Sequence, residues 1–342
     1  MKKNREITIY DLARTLNISP ATVSRGLSGH PAVSKKTKTR IFKLASQMDY
    51  RSNTFASNLR RQNTRTIGVI IPKLNSFFMS AVIAGIEKVA NQAGYNLIIS
   101  QSLETVKKES ANAQTMYRSR VDGMLVSLAY DTENLAHFEP FFKRGIPVYF
   151  FDRVMDHESS TSIIIDNFKA GYEATAHLIG QGCKRIVHVT ANHKRNVYTD
   201  RLAGYRKALE DHGIGEESIL IIEKDLSEQA GISAANRIMQ MSPKPDGIFL
   251  VNDSWAAHCM ITLRQAGYRI PENIAVVGFN NDPISRIVYP ALTTVNYPGE
   301  EMGTIITRNL INNLKGLEEG KLTNTIIMKS GLIIRDSSQR IK

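Results

Sequence analysis

The sequence predicts a small all-α domain followed by an α/β core of two doubly wound parallel sheets. Two short amphipathic segments with marked starts occupy residues 7–27, and nearly all of the excess positive charge lies before residue 66. After that point, short apolar segments alternate with helical segments in two successive series. Such alternation is typical of βαβ units, which build parallel sheets with helices on their faces.

The first predicted helix starts after Thr8. Asp11 stands three residues after Thr8, at the spacing of a capping box. A buried face is predicted from four apolar residues at helical spacing: Ile9, Leu12, Ala13 and Leu16. Asn17 accepts a left-handed backbone more readily than most residues, so the chain is expected to turn sharply there.

A second helix is predicted from Pro20 to about Leu27, because Ser19 is a favoured N-cap and proline a favoured first helical residue. Its outer face is small and polar, with Ala21, Thr22, Ser24, Arg25 and Ser28. Two helices around a short turn predict a helix-turn-helix. On this pattern alone, an ordinary helical hairpin remains the alternative.

Charge favours the helix-turn-helix. Residues 1–65 contain 14 Lys and Arg against three acidic residues, a net charge of +11 in a chain whose total is +12. An imbalance confined to one small domain indicates a polyanionic partner, and nucleic acid is the best candidate. A third helix, capped by Ser34, begins with Lys35 and Lys36. Cations are unfavourable at a helix N-terminus, which indicates that a DNA phosphate offsets them.

A membrane surface is the alternative polyanion. No segment approaches 18 consecutive apolar residues, and no apolar run follows the basic N-terminus as in a signal peptide. We therefore expect a soluble, cytoplasmic protein that does not bind membranes. The same N-terminus argues against a secreted sugar-binding protein.

Residues 53–61 have two interpretations. Asn53 is a possible N-cap, and Leu59 precedes Arg60 and Arg61 in a segment with no core of its own. The segment is either a linker or a hinge that becomes helical when DNA or a second subunit covers it. An apolar side chain beside basic ones also fits a wedge for the minor groove.

The α/β core is predicted as two series of strands and helices. The predicted strands are 67–71, 96–100, 123–128 and 148–151 in the first series, and 163–166, 185–190, 219–222, 247–251 and 275–279 in the second. The predicted helices are 78–93, 107–119 and 134–144, then 168–181, 200–212, 228–241 and 254–267. A ligand is expected at the carboxyl ends of the strands, in a cleft between the two sheets.

Catalytic and cofactor signals are missing from the sequence. It contains no phosphate-binding loop, no dinucleotide fingerprint, no nucleophile elbow and no zinc-protease motif. The two cysteines, Cys183 and Cys259, have no metal-binding spacing. An enzyme on the same two-sheet core is therefore the less favoured class, and we expect neither a cofactor nor a metal.

The predicted strand ends carry side chains suited to a sugar. Aromatic rings stack on the apolar faces of sugar rings, while Asn, Asp and Arg form hydrogen bonds to neighbouring hydroxyls. Residues of these types follow several of the predicted strands: Asn75, Phe77, Phe78, Asp152, Arg153, Arg201, Asn252, Asp253, Asn280, Asn281 and Asp282. Each one alone is equally consistent with a loop cap.

Five segments carry a resemblance to a known family. They are 8–13, 21–25, 65–70, 276–279 and 291–295. With them the chain resembles the lactose repressor and galactose repressor family of bacterial transcription factors over essentially all 342 residues. The resemblance implies that the second helix enters the major groove of operator DNA, that a hinge leucine enters the minor groove, and that a periplasmic-binding-protein-like core binds a small effector and forms a homodimer.

The family's contact residues carry over by position. Pro20, Ala21 and Arg25 match base-reading residues, and Leu59 matches the hinge leucine. The full DNA-binding set implied is Thr8, Tyr10, Pro20, Ala21, Thr22, Ser24, Arg25, Ser28, Lys35, Asn53, Ala56 and Leu59. The effector set implied is Asn75, Phe77, Phe78, Asp152, Arg153, Arg195, Arg201, Asn252 and Asn280.

The sequence departs from the family at three places. Asn280 stands where an aspartate is usual, Asn17 where glycine is common, and Lys35 with Lys36 where an acidic pair is usual. The pair Asp152 and Arg153 resembles the sugar-binding members more than the purine-binding one. The resemblance thus favours a repressor controlled by a sugar, with a nucleobase effector or an activator as the alternatives.

The expected domain boundaries follow from both lines of reasoning. Residues 1–52 are assigned to the helix-turn-helix domain, 53–64 to the hinge, and 65–342 to the core. Within the core, the N-subdomain is expected at about 65–163 and 295–324, and the C-subdomain at about 164–294 and 325–342. No long heptad tail follows Arg335, which argues against a C-terminal tetramerising helix.

Overall fold

The computed structural model describes residues 7–50, 63–191, 194–215, 219–223, 227–317 and 325–340. The chain divides into two compact units, Met1–Thr64 and Arg65–Lys342. Asn53, Ala56 and Leu59, which were predicted to contact DNA, lie outside the described residues. No helix within the described ranges is long and apolar enough to cross a membrane.

The first unit contains the three predicted helices. They are α1 (Ile9–Leu16), α2 (Pro20–Leu27) and α3 (Lys35–Gln47). Leu12, Val23 and Ile41, one from each helix, are fully buried against one another. Burying three branched side chains stabilises the unit by about 1.5–3 kcal/mol each. The helix-turn-helix geometry therefore rests on a small core shared by all three helices.

The ends of these helices follow the local chemistry of the sequence. Asn17 adopts a left-handed conformation with φ of 53°. Ser19 Oγ accepts a hydrogen bond of 3.1 Å from the N–H of Thr22, which caps α2. At α1, Asp11 Oδ2 accepts bonds from both the N–H of Thr8, at 2.9 Å, and the Thr8 hydroxyl, at 2.7 Å. The capping signals thus set where α1 and α2 begin and where the chain turns between them.

The second unit contains two six-stranded sheets, each of which forms the centre of one lobe. The first-lobe strands are β1 (Thr66–Ile71), β2 (Asn96–Gln101), β3 (Gly123–Val126), β4 (Val148–Phe151), β5 (Ser160–Ile165) and β11 (Thr325–Met328). The first-lobe helices are α4 (Phe77–Gln92), α5 (Val106–Arg118), α6 (Glu139–Lys143) and α12 (Gly299–Leu314). The strand order is β11-β5-β4-β3-β1-β2, with all pairs parallel.

The second lobe has the same arrangement. Its strands are β6 (Ile186–Ala191), β7 (Ile219–Glu223), β8 (Gly247–Leu250), β9 (Ala275–Asn280), β10 (Thr293–Asn296) and β12 (Gly331–Ile333). Its helices are α7 (Asn167–Gly180), α8 (Asn196–Asp211), α9 (Gln229–Gln240), α10 (Asp253–Gln265) and α11 (Ile284–Ile287). The order is β12-β10-β9-β8-β6-β7, and only the β10–β12 pair is antiparallel among the described strands.

The chain passes between the lobes at different points from those expected. Residues 163–166 were predicted to open the second sheet, but β5 pairs in parallel with β4, and Phe151 lies opposite Ile163. Residues 325–328 were assigned to the second lobe, but β11 pairs with β5. The crossings therefore follow β5, β10 and β11. The sheet to which a strand belongs is determined by its pairing with distant segments, and no local sequence pattern indicates that pairing.

Glycines bring one pair of helices in the first lobe into backbone contact. A Cβ on Gly85 of α4 would lie 2.1 Å from the carbonyl oxygen of Glu300. A Cβ on Gly303 of α12 would lie 2.0 Å from the carbonyl oxygen of Val82. Since backbone atoms cannot move aside like a flexible side chain, any larger residue forces α4 and α12 apart.

Gly303→Ala is accordingly expected to lower the free energy of unfolding of the second unit by about 1–3 kcal/mol or more, the usual cost of overpacking. The matched control is Gly180→Ala at the end of α7, where an added Cβ meets no atom within 4 Å. Urea unfolding followed by circular dichroism measures both variants. Equal unfolding free energies for the two variants would contradict the close helix contact.

Candidate functional site

A cleft of about 710 Å³ lies where the strands of both sheets end. The first lobe contributes the segment between β1 and α4 and the residues after β4, while the second lobe contributes α8, the start of α10 and the loop after β9. Eight of the nine residues predicted to bind effector line it: Asn75, Phe77, Phe78, Asp152, Arg153, Arg201, Asn252 and Asn280. Side chains from distant parts of the chain therefore meet at the edge that a doubly wound fold offers to ligands.

Arg195, the ninth predicted residue, does not line the cleft. Its side chain is buried, and Nη2 donates a hydrogen bond to the backbone carbonyl of Thr132. Thr132 belongs to the first lobe and Arg195 directly precedes α8 of the second. The arginine thus joins the two lobes beside the cleft. Arg195 was assigned to the effector set from the family resemblance, whereas the direction of its side chain is a tertiary property.

Asp152 forms a buried hydrogen-bonded group on the first-lobe side. It adopts a left-handed backbone with φ of 60° directly after β4. Its Oδ1 accepts a bond of 3.0 Å from the Tyr297 hydroxyl, and its Oδ2 accepts one of 3.1 Å from Ser127 Oγ. Burial raises the pKa of Asp152, against the opposing effect of Arg153 and Arg201. The carboxylate is therefore held in one orientation by partners within the protein.

Arg153 connects the lobes across the cleft. Nη1 donates to Glu104 Oε2 at 2.6 Å in the first lobe, and Nη2 donates to the Tyr198 hydroxyl at 3.0 Å on α8 of the second. Burial opposes the charged guanidinium, but Tyr198 and Glu104 outweigh this and raise the pKa of Arg153. This charge-assisted bridge is among the stronger kinds of hydrogen bond.

Arg201 is the central cation of the second-lobe side. Nε donates to Asn167 Oδ1 at 2.9 Å, Nη1 donates to the Val251 carbonyl at 3.0 Å, and Cζ lies 3.5 Å from the centroid of the Phe279 ring. Burial lowers its pKa from the ordinary arginine value. No hydrogen bond joins Nη2 to another residue in the described ranges, so this nitrogen remains available as a donor.

Glycines place Arg201 at this position. A Cβ on Gly171 of α7 would lie 2.3 Å from the carbonyl oxygen of Arg201, and one on Gly204 of α8 would lie 2.0 Å from that of Phe168. The backbones of α7 and α8 are therefore in contact at Arg201. This contact is the counterpart of the one between α4 and α12.

Aromatic side chains supply the apolar surface. The Phe78 and Tyr297 rings lie 4.2 Å apart between centroids, and Trp255 lines the cleft although only 2 % of its surface is exposed. Phe77 is 62 % exposed. Asn252 Oδ1 accepts from the N–H of Trp255 at 2.8 Å, so this asparagine is an N-cap of α10 as well as a cleft residue.

Several cleft residues were missed from the sequence. They include the polar residues Glu104, Tyr198 and Tyr297. Glu104 follows β2 and Tyr297 follows β10, so both lie at the carboxyl ends of strands, where a ligand was expected. Tyr297 was missed because β10, a strand of four residues, was not predicted. Trp255 packs in the core of the second lobe and also lines the cleft.

The helix-turn-helix presents the predicted DNA-binding side chains. Val23 and Gly26 of α2 are buried, which turns Ala21, Arg25 and Ser28 outward. Tyr10, at 66 % exposure, and Lys35 are also exposed, while Thr8, Pro20, Thr22 and Ser24 are half-buried. The described part of the predicted set is thus accessible to a partner.

Comparisons with known proteins agree with both halves of the chain. Residues 8–53 match "Bacterial regulatory proteins, lacI family", and residues 175–338 match "Periplasmic binding protein-like domain". The catabolite control protein A of Priestia megaterium is 31% identical over 305 residues, which cover 89% of this chain and 91% of that protein.

Solved structures have the same fold. The Lac repressor dimer bound to operator and the anti-inducer ONPF has a TM-score of 0.85 at 23% identity and covers 98% of this chain and 100% of its own. A LacI family regulator from Enterococcus faecium with bound ribose has a TM-score of 0.72 at 25% identity, over 81% of this chain and 100% of its own. With a helix-turn-helix, a two-lobed core and these relatives, the chain belongs to the lacI family of bacterial regulatory proteins.

Proposed function

We propose that this protein is a transcriptional repressor whose affinity for operator DNA changes when a small sugar binds in the cleft between the lobes. The cleft carries the proposal. It combines aromatic rings, an arginine with an available donor and several polar strand-end side chains, and it belongs to a chain that also bears a basic helix-turn-helix. The proposed DNA-binding domain and the proposed ligand-binding core thus belong to one polypeptide.

The chemistry of the cleft favours a sugar over a nucleobase. Asn75, Asp152, Arg201 and Asn280 offer both donors and acceptors, which suits the alternating hydroxyls of a sugar ring. The rings of Phe78, Tyr297 and Trp255 offer apolar surface to the ring faces. The bound ribose in the related regulator from Enterococcus faecium supports the same choice.

Operator binding is proposed to require a dimer in the bacterial cytoplasm. One α2 spans only a few base pairs of a major groove, and a two-fold pair reads two half-sites of a near-palindromic operator. The net charge of +11 on residues 1–65 supplies the attraction to phosphates. The dimeric Lac repressor on its operator supports this assembly.

The test is a DNA selection followed by ligand titration. Fragments of the source genome that the protein retains are expected to share a near-palindromic site. Fluorescence anisotropy then measures affinity for that site with ribose, glucose, cellobiose and the common purine bases added in turn. A sugar that changes operator affinity supports the proposal. Selection of no common site, or a response to a purine base and to none of the sugars, contradicts it.

Leu59 provides a separate prediction about the hinge. If two hinges pair over the minor groove, each leucine wedges into a base step, and the added contacts offset the cost of unstacking. Leu59→Ala is expected to lower specific operator affinity at least about tenfold while leaving non-specific DNA binding nearly unchanged. Anisotropy with operator and with scrambled DNA measures both.

The control for this prediction is Leu317→Ala. Leu317 belongs to the second unit, and its side chain is 67% exposed. The control variant is expected to bind operator like the parent protein. If Leu59→Ala also keeps the parent affinity and the parent response to ligand, residues 53–61 are a linker only.

A further inference from the structure

Among the described residues, four carboxylates line the cleft, and three of them are paired within the protein or exposed to solvent. Glu104 is paired with Arg153 at 2.6 Å. Asp152 accepts from Tyr297 and Ser127. Glu228, whose side chain is 75% exposed, lies 3.6 Å from His258. Each of these charges is compensated by a protein group or by solvent.

Asp282 differs from the other three. It is half-buried on the loop after β9, and Asn280 Nδ2 donates a long bond of 3.3 Å to its Oδ2. Within the described ranges, no lysine, arginine or histidine forms an ion pair with it. Burial raises the pKa of Asp282 to about 6, and the bond from Asn280 only partly offsets this. At neutral pH the carboxylate is therefore mostly ionised, with acceptor capacity to spare.

The backbone around Asp282 is fixed by buried groups. Its N–H donates to Asp253 Oδ2 at 2.7 Å, and its carbonyl accepts from the Ser285 hydroxyl at 2.6 Å. Asp253 is itself held by the Thr294 hydroxyl at 2.6 Å. A carboxylate presented on such a support loses little freedom when a ligand binds, which favours affinity.

The loop also contains two residues in unfavourable conformations. Asn280 and Asn281 have φ values of 110° and 58°. Arg335 Nη2 donates to Asn281 Oδ1 at 2.7 Å, and Asn281 Nδ2 donates to Asn296 at 3.1 Å, so neighbouring elements maintain the turn. Backbone strain of this kind persists only where the surrounding structure supports it. The strained turn carries Asp282 to the cleft wall.

The two cleft arginines do not form a ready anion site. Arg153 is engaged by Glu104 and Tyr198, and Arg201 has only one nitrogen without a protein partner among the described residues. Counting Lys73 as well, three cations face four carboxylates in the cleft lining. An additional phosphate would meet a net negative surface among the described lining residues, where no cation is paired with Asp282.

We propose that Asp282 determines which class of ligand the cleft accepts. Its carboxylate accepts hydrogen bonds from the hydroxyls of an uncharged sugar or the ammonium of an amino sugar, and it excludes sugars that bear a phosphate or carboxylate. This inference rests on the proposed function, in which a sugar binds in the cleft. It assigns the acceptor role to residue 282, two positions beyond Asn280.

The test compares each sugar with its charged derivatives on the full chain. Calorimetry measures the affinities of glucose, glucosamine and glucose 6-phosphate, and of ribose and ribose 5-phosphate. For a sugar that binds the parent protein, the phosphate ester is expected to bind at least about tenfold more weakly. Asp282→Asn removes the charge and keeps the shape of the side chain. It is expected to reduce the ratio of the sugar's affinity to that of its phosphate ester about tenfold. Asp282→Glu is expected to restore it.

The control is Glu272→Gln, an exposed acid before β9, at the opposite end of that strand from Asp282. It is expected to keep the parent ratio. An unchanged ratio in Asp282→Asn, or equal binding of a sugar and its phosphate by the parent protein, overturns the inference and leaves the proposed function intact. If none of these sugars binds the parent protein, the sugar-responsive function falls, and the inference falls with it.

Discussion

Removal of residues 1–64 is expected to abolish operator binding and to preserve ligand binding in the cleft. The truncated chain begins at the boundary between the two compact units. It keeps the hydrophobic clusters of both lobes, none of which uses a residue before 65. It loses α2 and almost all of the excess positive charge. Anisotropy with operator DNA and calorimetry with the sugar measure the two activities.

Salt dependence tests the same assignment without truncation. If the basic residues of the first unit contact phosphates, the logarithm of operator affinity falls linearly with the logarithm of salt concentration, by about 0.9 for each phosphate neutralised. The parent protein is expected to show such a slope. Operator binding retained by the truncated chain, or affinity independent of salt, would remove the basis for assigning DNA binding to residues 1–65.

Arg201→Ala is expected to weaken sugar binding at least about tenfold, since a hydrogen bond to a charged group contributes about 1.5–3 kcal/mol. The change removes the nitrogen available to ligand. It also removes the guanidinium that contacts Asn167, Val251 and the ring of Phe279. Operator affinity without sugar is expected to change little, because the DNA-binding helices belong to the other unit.

Two controls separate a binding effect from a folding effect. Arg206→Ala removes an exposed arginine from the same helix and is expected to bind sugar like the parent protein. Thermal unfolding and operator binding of Arg201→Ala report whether the chain is intact. An intact Arg201→Ala variant with the parent affinity for sugar would place the ligand away from the second-lobe wall.

Features of the fold that depend on local chemistry were predictable from the sequence. Ser19, Pro20 and Asn17 fix helix ends through their own backbone and side-chain preferences, and the structure confirms α1 and α2 residue for residue. The alternation of strands and helices was visible because buried parallel strands are short apolar runs. The last elements were not predicted, although Met302, Ile306 and Leu310 of α12 repeat every four residues.

Features that depend on pairing between distant segments were not predictable. Nothing within Thr325–Met328 indicates that its neighbour is β5, and the direction of the Arg195 side chain follows from the same kind of distant contact. Asp282 was noted only as one of several polar residues after a strand. Its distinguishing property is a carboxylate that pairs with no cation among the residues that the structure describes, and this depends on the positions of all the other charged groups.

The helix contacts through glycine have a consequence for the synthesis of the chain. In the first lobe, α4 follows β1, but its partner α12 arrives after β10 of the second lobe. In the second lobe, α8 follows β6, and its partner α7 arrives after β5 of the first. The crossing after β10 therefore delivers α12, which completes the helix pair of the first lobe, whereas the crossing after β5 delivers α7 before its partner α8 has been made.

On the ribosome, the first lobe emerges first, but its last elements are made only after β10 of the second lobe. It lacks α12 until Leu314 has been made, and it lacks its edge strand β11 until Met328 has been made. Until then the apolar side of α4 and one edge of the sheet have no native partner, and such surfaces promote aggregation. The first lobe of a nascent chain is therefore expected to stay incomplete until residue 328 has been made, and a stop codon before residue 299 leaves neither lobe complete.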